Sequence, residues 1–393
     1  MNEKKSLGII AEYNPFHNGH LYHIEESVKM TGAEVVVAAM SGNFVQRGNM
    51  PIADKWDRAE AAVKNGVDLV VEIPTVFACN SAPYFANAAV KILENLGVTW
   101  ISFGSESGNI ENLSHIARVI SEGNTEIEDI IREKVKSGLA YPRARKEALA
   151  GILNNEYSEM LDLPNNILAI EYLRSIDKAE PITVKRRGSG YNDIEIYDDI
   201  ASATAIRYMI DHGKAVNSFI PETVYELLKR GNSPSEHIIF KMICQNVLSK
   251  TAEELDSVSA GGEGLGNKIK KAIRNVSSYE ALAEQLKSKR YTRTRIDRFL
   301  MHVLLDIKKY DNYCNYIRVL AFNEKGSTYL KQIKKSEICQ LPIITNINKD
   351  LLNCEYILPA IEKDILAADL YNLATERDLY LNSEYVNMPR KIL

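Results

Sequence analysis

The chain has 393 residues, 45% hydrophobic and 25% charged, a balance that buries large cores and excludes disordered, collagen-like and fibrous classes. At ~150 residues per domain the length suggests two or three domains, and no apolar run approaches the ~20 residues of a membrane helix. The net charge of −4 is uneven: residues 1–215 hold 22 Lys and Arg against 30 Asp and Glu, residues 216–393 hold 26 against 22, and residues 265–335 hold 17 against 6, which points to a polyanion on the second half.

The N-terminal MNEKKSLGIIAEYNP is too short in apolar residues for a leader and reads as the first buried strand. LGIIA (7–11), VVVAAM (35–40), VDLVVEI (67–73) and VTWISF (98–103) are nearly continuous in hydrophobicity, as parallel strands covered on both faces must be. Helical patterns near 19–31, 54–66 and 82–96 supply the crossovers. Helices at 141–154 and 165–176 follow, then a strand ITVKRR (182–187), a loop with Gly188, Gly190 and Asn192, and a helix over 201–214 with Ser202 as N-cap. This gives an α/β catalytic domain over residues 1–217 and a mostly helical, basic region over 218–393. Within the latter, IRVLAF (317–322), a helix near 327–335 and PIITN (342–346) suggest a small α/β unit, closed by a helix over 356–374.

The five cysteines (Cys79, Cys244, Cys314, Cys339, Cys354) are odd in number and contain no C-x-x-C pair, which argues against a disulfide framework and a zinc site and for the cytoplasm.

Chemistry concentrates in Glu12-Tyr13-Asn14-Pro15-Phe16-His17-Asn18-Gly19-His20, directly after the first strand and opening a helix. Ligands of open parallel sheets bind beyond the carboxyl ends of the strands, and a helix start there offers N–H groups to phosphate. Three of the seven histidines, His17, His20 and His23, fall in this stretch, and both His17 and His20 can donate to phosphoryl oxygens. His20 and His23 lie one turn apart, but only Glu12, Glu25 and Glu26 stand nearby as further ligands, so no metal site is expected.

The pattern H-x-G-H after strand one resembles the nucleotidyltransferase superfamily, which has a Rossmann-like, class I aminoacyl-tRNA synthetase-like catalytic fold. The longer string EYNPFHNGHLYH, with SGNFVQRG (41–48), GVDLVVEIP (66–74), FGSE (103–106), PNNILAIEY (164–172) and KRYTRTR (289–295), resembles the bacterial tRNA(Met) cytidine acetate ligase family. The similarity runs along most of the chain and is densest in residues 7–210. The resemblance implies an ATP-dependent ligase that joins acetate to AMP, releases pyrophosphate, and acetylates the exocyclic amine of the wobble cytidine in elongator tRNA(Met). ATP, Mg²⁺, acetate and that tRNA are the expected co-substrate, ion and partners, with no membrane and no obligate protein partner.

Carried over by position, the resemblance assigns ATP to Ile10, Ala11, Glu12, Tyr13, Asn14, Pro15, Phe16, His17, Asn18, Gly19, His20, Leu21, Tyr22 and His23, and to Gly104, Asn165 and Arg186. His17 and His20 are the expected catalytic residues. Arg186 is followed by Arg187, so either arginine can face ATP; Asn165 can bond the nucleoside or cap the helix after it. Ser202, Thr204 and Arg207 in ASATAIR resemble the superfamily's second motif, which holds the leaving pyrophosphate. Gln46, Arg47 and Lys55, in and after SGNFVQRG, can reach ATP, acetate or the acceptor base.

Lys287, Lys289, Arg290, Arg293, Arg295 and Arg298 put six cations in twelve residues, with Tyr291 and Phe299 interleaved. The local charge excess leaves most of them free for RNA phosphates, with Tyr291 available to stack on a base, so Lys289, Arg290, Arg293 and Arg295 are the expected nucleic-acid contacts. Arg143 and Arg145 add a smaller basic patch. Two other readings compete: a small-molecule adenylyltransferase of the same fold, and a non-catalytic RNA-binding regulator.

Overall fold

The computed structural model describes residues 5–123, 125–150, 155–187, 200–230, 233–309, 314–351, 355–375 and 381–393. The loop expected around Gly188, Gly190 and Asn192, the end of the 141–154 helix, and Cys354 lie outside the described residues.

Eight strands form one sheet: β1 (Ser6–Ala11), β2 (Val35–Ser41), β3 (Leu69–Ile73), β4 (Trp100–Ser105), β5 (Glu180–Lys185), β6 (Ile317–Phe322), β7 (Ile343–Ile344) and β8 (Arg390–Lys391). Their order is β5-β4-β1-β2-β3-β6-β7, with β8 also beside β6. Every pairing is parallel except β3 with β6. The chain therefore winds one way from β1 through β3 and the other way through β4 and β5, and the switch between β1 and β4 opens the crevice in which such sheets bind ligands.

All seven residues of β2 are buried, because both faces of the sheet are covered. Val35, Val37 and Ala39 join one hydrophobic cluster while Val36, Ala38 and Met40 join the other, the two-residue alternation of a pleated strand. The first cluster continues without a break into the helices at Glu236–Ser249, Leu265–Ala272, Tyr279–Leu286 and Arg293–Leu305. The second is closed by the helices at Lys55–Lys64, Ala203–Asp211 and Glu222–Arg230.

IRVLAF, expected to start a small separate α/β unit, instead extends the main sheet as β6, antiparallel to β3, so strands from both sides of residue 217 share one sheet. The reason is electrostatic as well as apolar. Glu72 of β3 lies opposite Arg318 of β6, and both are buried. The Lys55 ammonium binds both Glu72 oxygens, at 2.9 and 2.8 Å, and Glu384 at 2.9 Å, while Trp56 Nε1 donates to Glu384 at 3.1 Å. Gly42 is required beside this cluster, since a Cβ there would sit 2.2 Å from Glu72 Oε1. Burial pushes the Glu72 carboxyl up, to about 8, against the pull of Lys55.

Removing one partner of such a cluster leaves buried charge without compensation. Lys55→Met is expected to destabilise the fold by about 3–5 kcal/mol, read as a lower urea midpoint at unchanged slope.

Candidate active site

The chain leaves β1 through a turn in which Tyr13 adopts a left-handed φ of 49°, and then starts the helix at Asn18–Thr31. That helix is capped by histidines. His17 Nδ1 accepts from Gly19 N at 3.1 Å, and His20 Nδ1 accepts from His17 N at 3.2 Å, the reciprocal arrangement usually built from Ser and Glu. With both Nδ1 atoms occupied as acceptors, each neutral ring carries its proton on Nε2, as a donor. The two rings stack with centroids 3.7 Å apart. A Cβ on residue 19 would meet His17 Cε1 at 2.9 Å, so Gly19 is needed to let the His17 ring fold over its own helix start.

Burial lowers the His17 imidazolium to about 3, helped by Arg186 and Arg207. Burial also holds His20 well below the usual range, with His17, Arg186 and His23 adding to the effect. His23 falls to about 4 from burial and then Arg186; its Nε2 lies 2.9 Å from Ser102 Oγ. The histidines are thus neutral donors.

These residues line a cavity of about 720 Å³ at the β1–β4 switch. Three helix N-termini open on it: Gly19 and His20 begin one helix, Pro164 and Asn165 a second (Pro164–Ser175), and Ala203 and Thr204 a third. The positive dipole ends of these helices favour anions, and Arg47, Lys185, Arg186, Arg187 and Arg207 line the same space. Arg207 is braced, donating to Asn14 O at 2.7 Å and to Thr204 Oγ1 at 3.1 Å. Arg58, fully buried, crosses under the loops and donates to Glu12 O at 2.6 Å, Ser41 O at 3.0 Å, Ala53 O at 3.0 Å and to Gly42 O.

Of the ATP-site residues expected from the sequence, Ile10 to Asn14, His17, Gly19, His20, Tyr22, His23, Gly104, Asn165, Arg186, Ser202 and Thr204 line this cavity, whereas Pro15, Phe16, Asn18 and Leu21 do not. Phe16 is core, packed against Tyr13 and His20, and Asn18 donates to Ser218 O at 2.9 Å. Gly104 makes room first for Arg186, whose Cγ would lie 3.3 Å from a Cβ there. Both arginines line the cavity, and Arg187 sits 4.2 Å over the Tyr22 ring. Ser202 caps its helix through Ala205 N at 3.0 Å.

The sequence reading missed Glu106. Its carboxylate accepts from Asn165 N at 3.1 Å, Asn165 Nδ2 at 2.7 Å and Asn166 N at 2.7 Å, so Glu106 caps the helix for which Asn165 was one of two readings, cap or nucleoside contact. Its place in FGSE, just past a strand end, was the available signal. Lys55, expected among the ligand contacts, lies instead in the buried ion cluster.

The basic segment also differs from expectation. Arg293 holds Glu280 and Asp297, Arg290 and Arg295 each lie 3.8 Å from Glu263, and Lys287 pairs with Glu284, so the cations are largely matched by acids. Phe299 is core, and Tyr291 is buried beneath Arg295, 4.8 Å from its ring, rather than open to a base. An amphipathic helix must turn its apolar stripe inward, which removes Phe299 from the surface, while Tyr291, just before that helix, is held by its hydroxyl donating to Glu263 O at 3.2 Å. Arg143 and Arg145 pair with Glu147 and Glu171. The segment nonetheless abuts the cavity wall: Arg298 donates to Gln46 O at 3.3 Å, and a Cβ on Gly48 would lie 2.3 Å from Arg298 N.

Among the described residues no group of three or more His, Cys, Asp or Glu side chains is placed to hold a metal ion. No helix among them is long and apolar enough to cross a membrane.

Because the folded histidines titrate below their unfolded value of ~6.5, the unfolded chain takes up protons first as pH falls. Stability of the unliganded protein is therefore full above about pH 6.5 and is lost toward pH 4, by up to ~1.4 kcal/mol per pH unit for each of His17, His20 and His23. Urea midpoints across that window check this, and His23→Gln should flatten the slope.

Residues 4–384 match the family model described as HIGH Nucleotidyl Transferase. The tRNA(Met) cytidine acetate ligase of Caldanaerobacter subterraneus subsp. tengcongensis is 43% identical over 387 residues, spanning 94% of this chain and 95% of the relative. That of Thermoanaerobacter sp. strain X514 is 40% identical, spanning 97% and 98%. The crystal structure of apo Thermotoga maritima TmcAL superposes with a TM-score of 0.92 at 32% identity, covering 99% of both chains, and TmcAL bound with alpha-thio ATP gives 0.91. The chain belongs to the HIGH nucleotidyl transferases and, among them, to the tRNA(Met) cytidine acetate ligase family.

Proposed function

We propose that this chain is an ATP-dependent ligase that activates acetate as acetyl-adenylate and passes the acetyl group to the wobble cytidine of elongator tRNA(Met). The observation that carries the reading is the pair of neutral imidazoles, His17 and His20, fixed by their Nδ1 atoms so that Nε2–H donates within a cavity surrounded by helix N-termini. A relative of the same fold holds an ATP analogue, and the named relatives are tRNA(Met) ligases.

In the first step an acetate oxygen attacks the α-phosphorus and pyrophosphate leaves. Negative charge develops on the phosphoryl oxygens, and donors fixed in advance stabilise it without reorganising. His17 and His20 do this beside the Asn18–Thr31 helix start, Arg186 adds a full charge, and Arg207 with the helix start near Ser202 and Thr204 holds the departing pyrophosphate. Asn165 and Gly104 border the nucleoside. The remaining lining residues from Ile10 to His23 shape the pocket, and Pro15, Phe16, Asn18 and Leu21 support them from outside it. Among the described residues no group of three or more ligands is placed to hold a metal ion, so Mg²⁺ would enter with the triphosphate and offset its charge; no step above depends on it.

The 1–217 region is the catalytic part and 218–393 brings the tRNA, through Lys289 and Arg290 first and through Arg293 and Arg295 where their acids release them. Work on cytoplasmic tRNA fits a reducing compartment for a chain whose described cysteines Cys79, Cys244, Cys314 and Cys339 are all free.

Mass spectrometry of bulk tRNA after incubation with the protein, ATP, Mg²⁺ and isotopically labelled acetate should find labelled acetylcytidine in elongator tRNA(Met). His20→Ala should cut the rate by about 10²–10³, the size of one lost transition-state donor. Pyrophosphate release with another substrate and no acetylcytidine would replace this reading with a small-molecule adenylyltransferase. Lys289→Ala with Arg290→Ala should weaken tRNA binding and lower its salt slope by about one per lost phosphate contact.

A further inference from the structure

Resting on the ligase reading, we propose that Glu12 is the general base that takes the proton from the cytidine amine during acetyl transfer.

Donors and cations dominate the cavity lining: the His17 and His20 rings, Arg47, Lys185, Arg186, Arg187, and Arg207 anchored to Asn14 O. A carboxylate beside a bound polyphosphate would repel it. Glu12 lines the cavity yet has no cationic side chain within ion-pair distance among the described residues. Of the other carboxylates in the lining, Glu106 engages both oxygens at a helix start, and Asp162 pairs with Lys146.

Glu12 is instead held by two hydrogen bonds that leave its carboxylate without an ion pair. Arg58 Nη1 donates to its carbonyl at 2.6 Å, and Gln46 N donates to its Oε1 at 2.9 Å. Oε2 takes no hydrogen bond among the described residues. The backbone is thus fixed and one carboxylate oxygen is oriented, leaving its companion for a ligand. That ligand must be a donor, which phosphate and acetate are not; the cytosine amine is one, as are the hydroxyls and amine of adenosine.

Position names the donor. Gln46, which holds Glu12 by its N–H, has its own carbonyl held by Arg298 at 3.3 Å, and the turn closed by Val45 N to Asn49 O at 3.0 Å packs Gly48 against the same helix. A single residue therefore separates Glu12 from the helix that begins in the basic segment. A nucleobase brought in by RNA on that segment meets Glu12 at the cavity wall that this loop forms.

The chemistry needs a base. The lone pair of the cytosine amine is delocalised into the ring, so the amine attacks weakly, and its N–H becomes acidic only as the new bond forms. In the step, the amine nitrogen bonds to the carbonyl carbon of acetyl-adenylate, and the carbon–oxygen bond to AMP breaks. The electron pair leaves on the AMP phosphate, and one N–H proton moves to Glu12 Oε2, from which it passes to solvent.

The test reads one intermediate in two ways, with the full-length protein, ATP and acetate. Hydroxylamine traps acetyl-adenylate as acetohydroxamate without needing a base, and elongator tRNA(Met) reports acetylcytidine by mass spectrometry. Glu12→Gln keeps an acceptor for Gln46 N–H but cannot take a proton. The ratio of acetylcytidine to hydroxamate is expected to fall by about 10²–10⁴-fold in Glu12→Gln. In Glu12→Asp, which retains the carboxylate, it should stay within about tenfold of wild type, the shorter arm costing at most one such step in rate. An unchanged ratio in Glu12→Gln, whether both readouts persist or fall together, overturns the role while leaving the ligase reading in place. A wild-type protein that makes no acetylcytidine overturns the ligase reading and the role of Glu12 with it.

Discussion

An α-helix cannot satisfy its own first N–H groups, and the site is built on that deficit at the helix beginning at Asn18. The deficit is met by two imidazole Nδ1 atoms, and meeting it determines the rest. Because Nδ1 accepts, Nε2 must donate; because the rings are buried beside Arg186 and Arg207, they stay neutral. A protonated pair 3.7 Å apart would repel itself and bind any anion without discrimination, whereas neutral donors strengthen as charge develops on the ligand. The glycine at position 19 exists so that the first ring can fold back.

Around this helix start the cavity lining holds two kinds of group. Neutral donors and arginines make up much of it, while the Glu12 carboxylate, tied to the loop that touches the basic helix, has no cationic side chain paired with it among the described residues. Such a division suits a two-step reaction in which the first step concentrates negative charge and the second removes a proton from an amine. Arg58 makes the division possible by gathering four carbonyls from the loops after β1 and β2, which holds Glu12 and Gly42 in place without placing a mobile cation in the cavity.

The far end of the chain stabilises the same loops. Glu384 and Arg318 join Lys55 and Glu72, and Tyr371 donates to Pro51 O at 3.1 Å, so the segment between β2 and its following helix is held from residues more than 260 positions later. Placed in the main sheet, β6 sets its buried Arg318 opposite Glu72 and 3.9 Å from Glu384. The sequence pattern of IRVLAF shows a strand but not its neighbours, since any apolar strand edge would accept it.

Much of the site was legible because its first layer is local. A strand, a turn and a helix start are consecutive in the chain, and the caps from His17 and His20 reach only two and three residues, so spacing alone implies the geometry. Resemblance named the chemistry, while composition supplied only the bias toward a polyanion. The role of each basic residue was not legible, because whether an arginine is free depends on which acids fold against it, and Glu280 comes from another helix and Glu263 from a distant turn. For the same reason Glu106 went unnoticed: it caps a helix 60 residues downstream. Arg207 reaches Asn14 across 193 positions and Arg298 reaches Gln46 across 252. Periodicity and short-range capping thus determine which elements form and where the histidines point. Tertiary structure decides which charges are neutralised, which oxygen is left without a partner, and which loop meets the basic helix, because those depend on pairings over distances that local energetics does not encode.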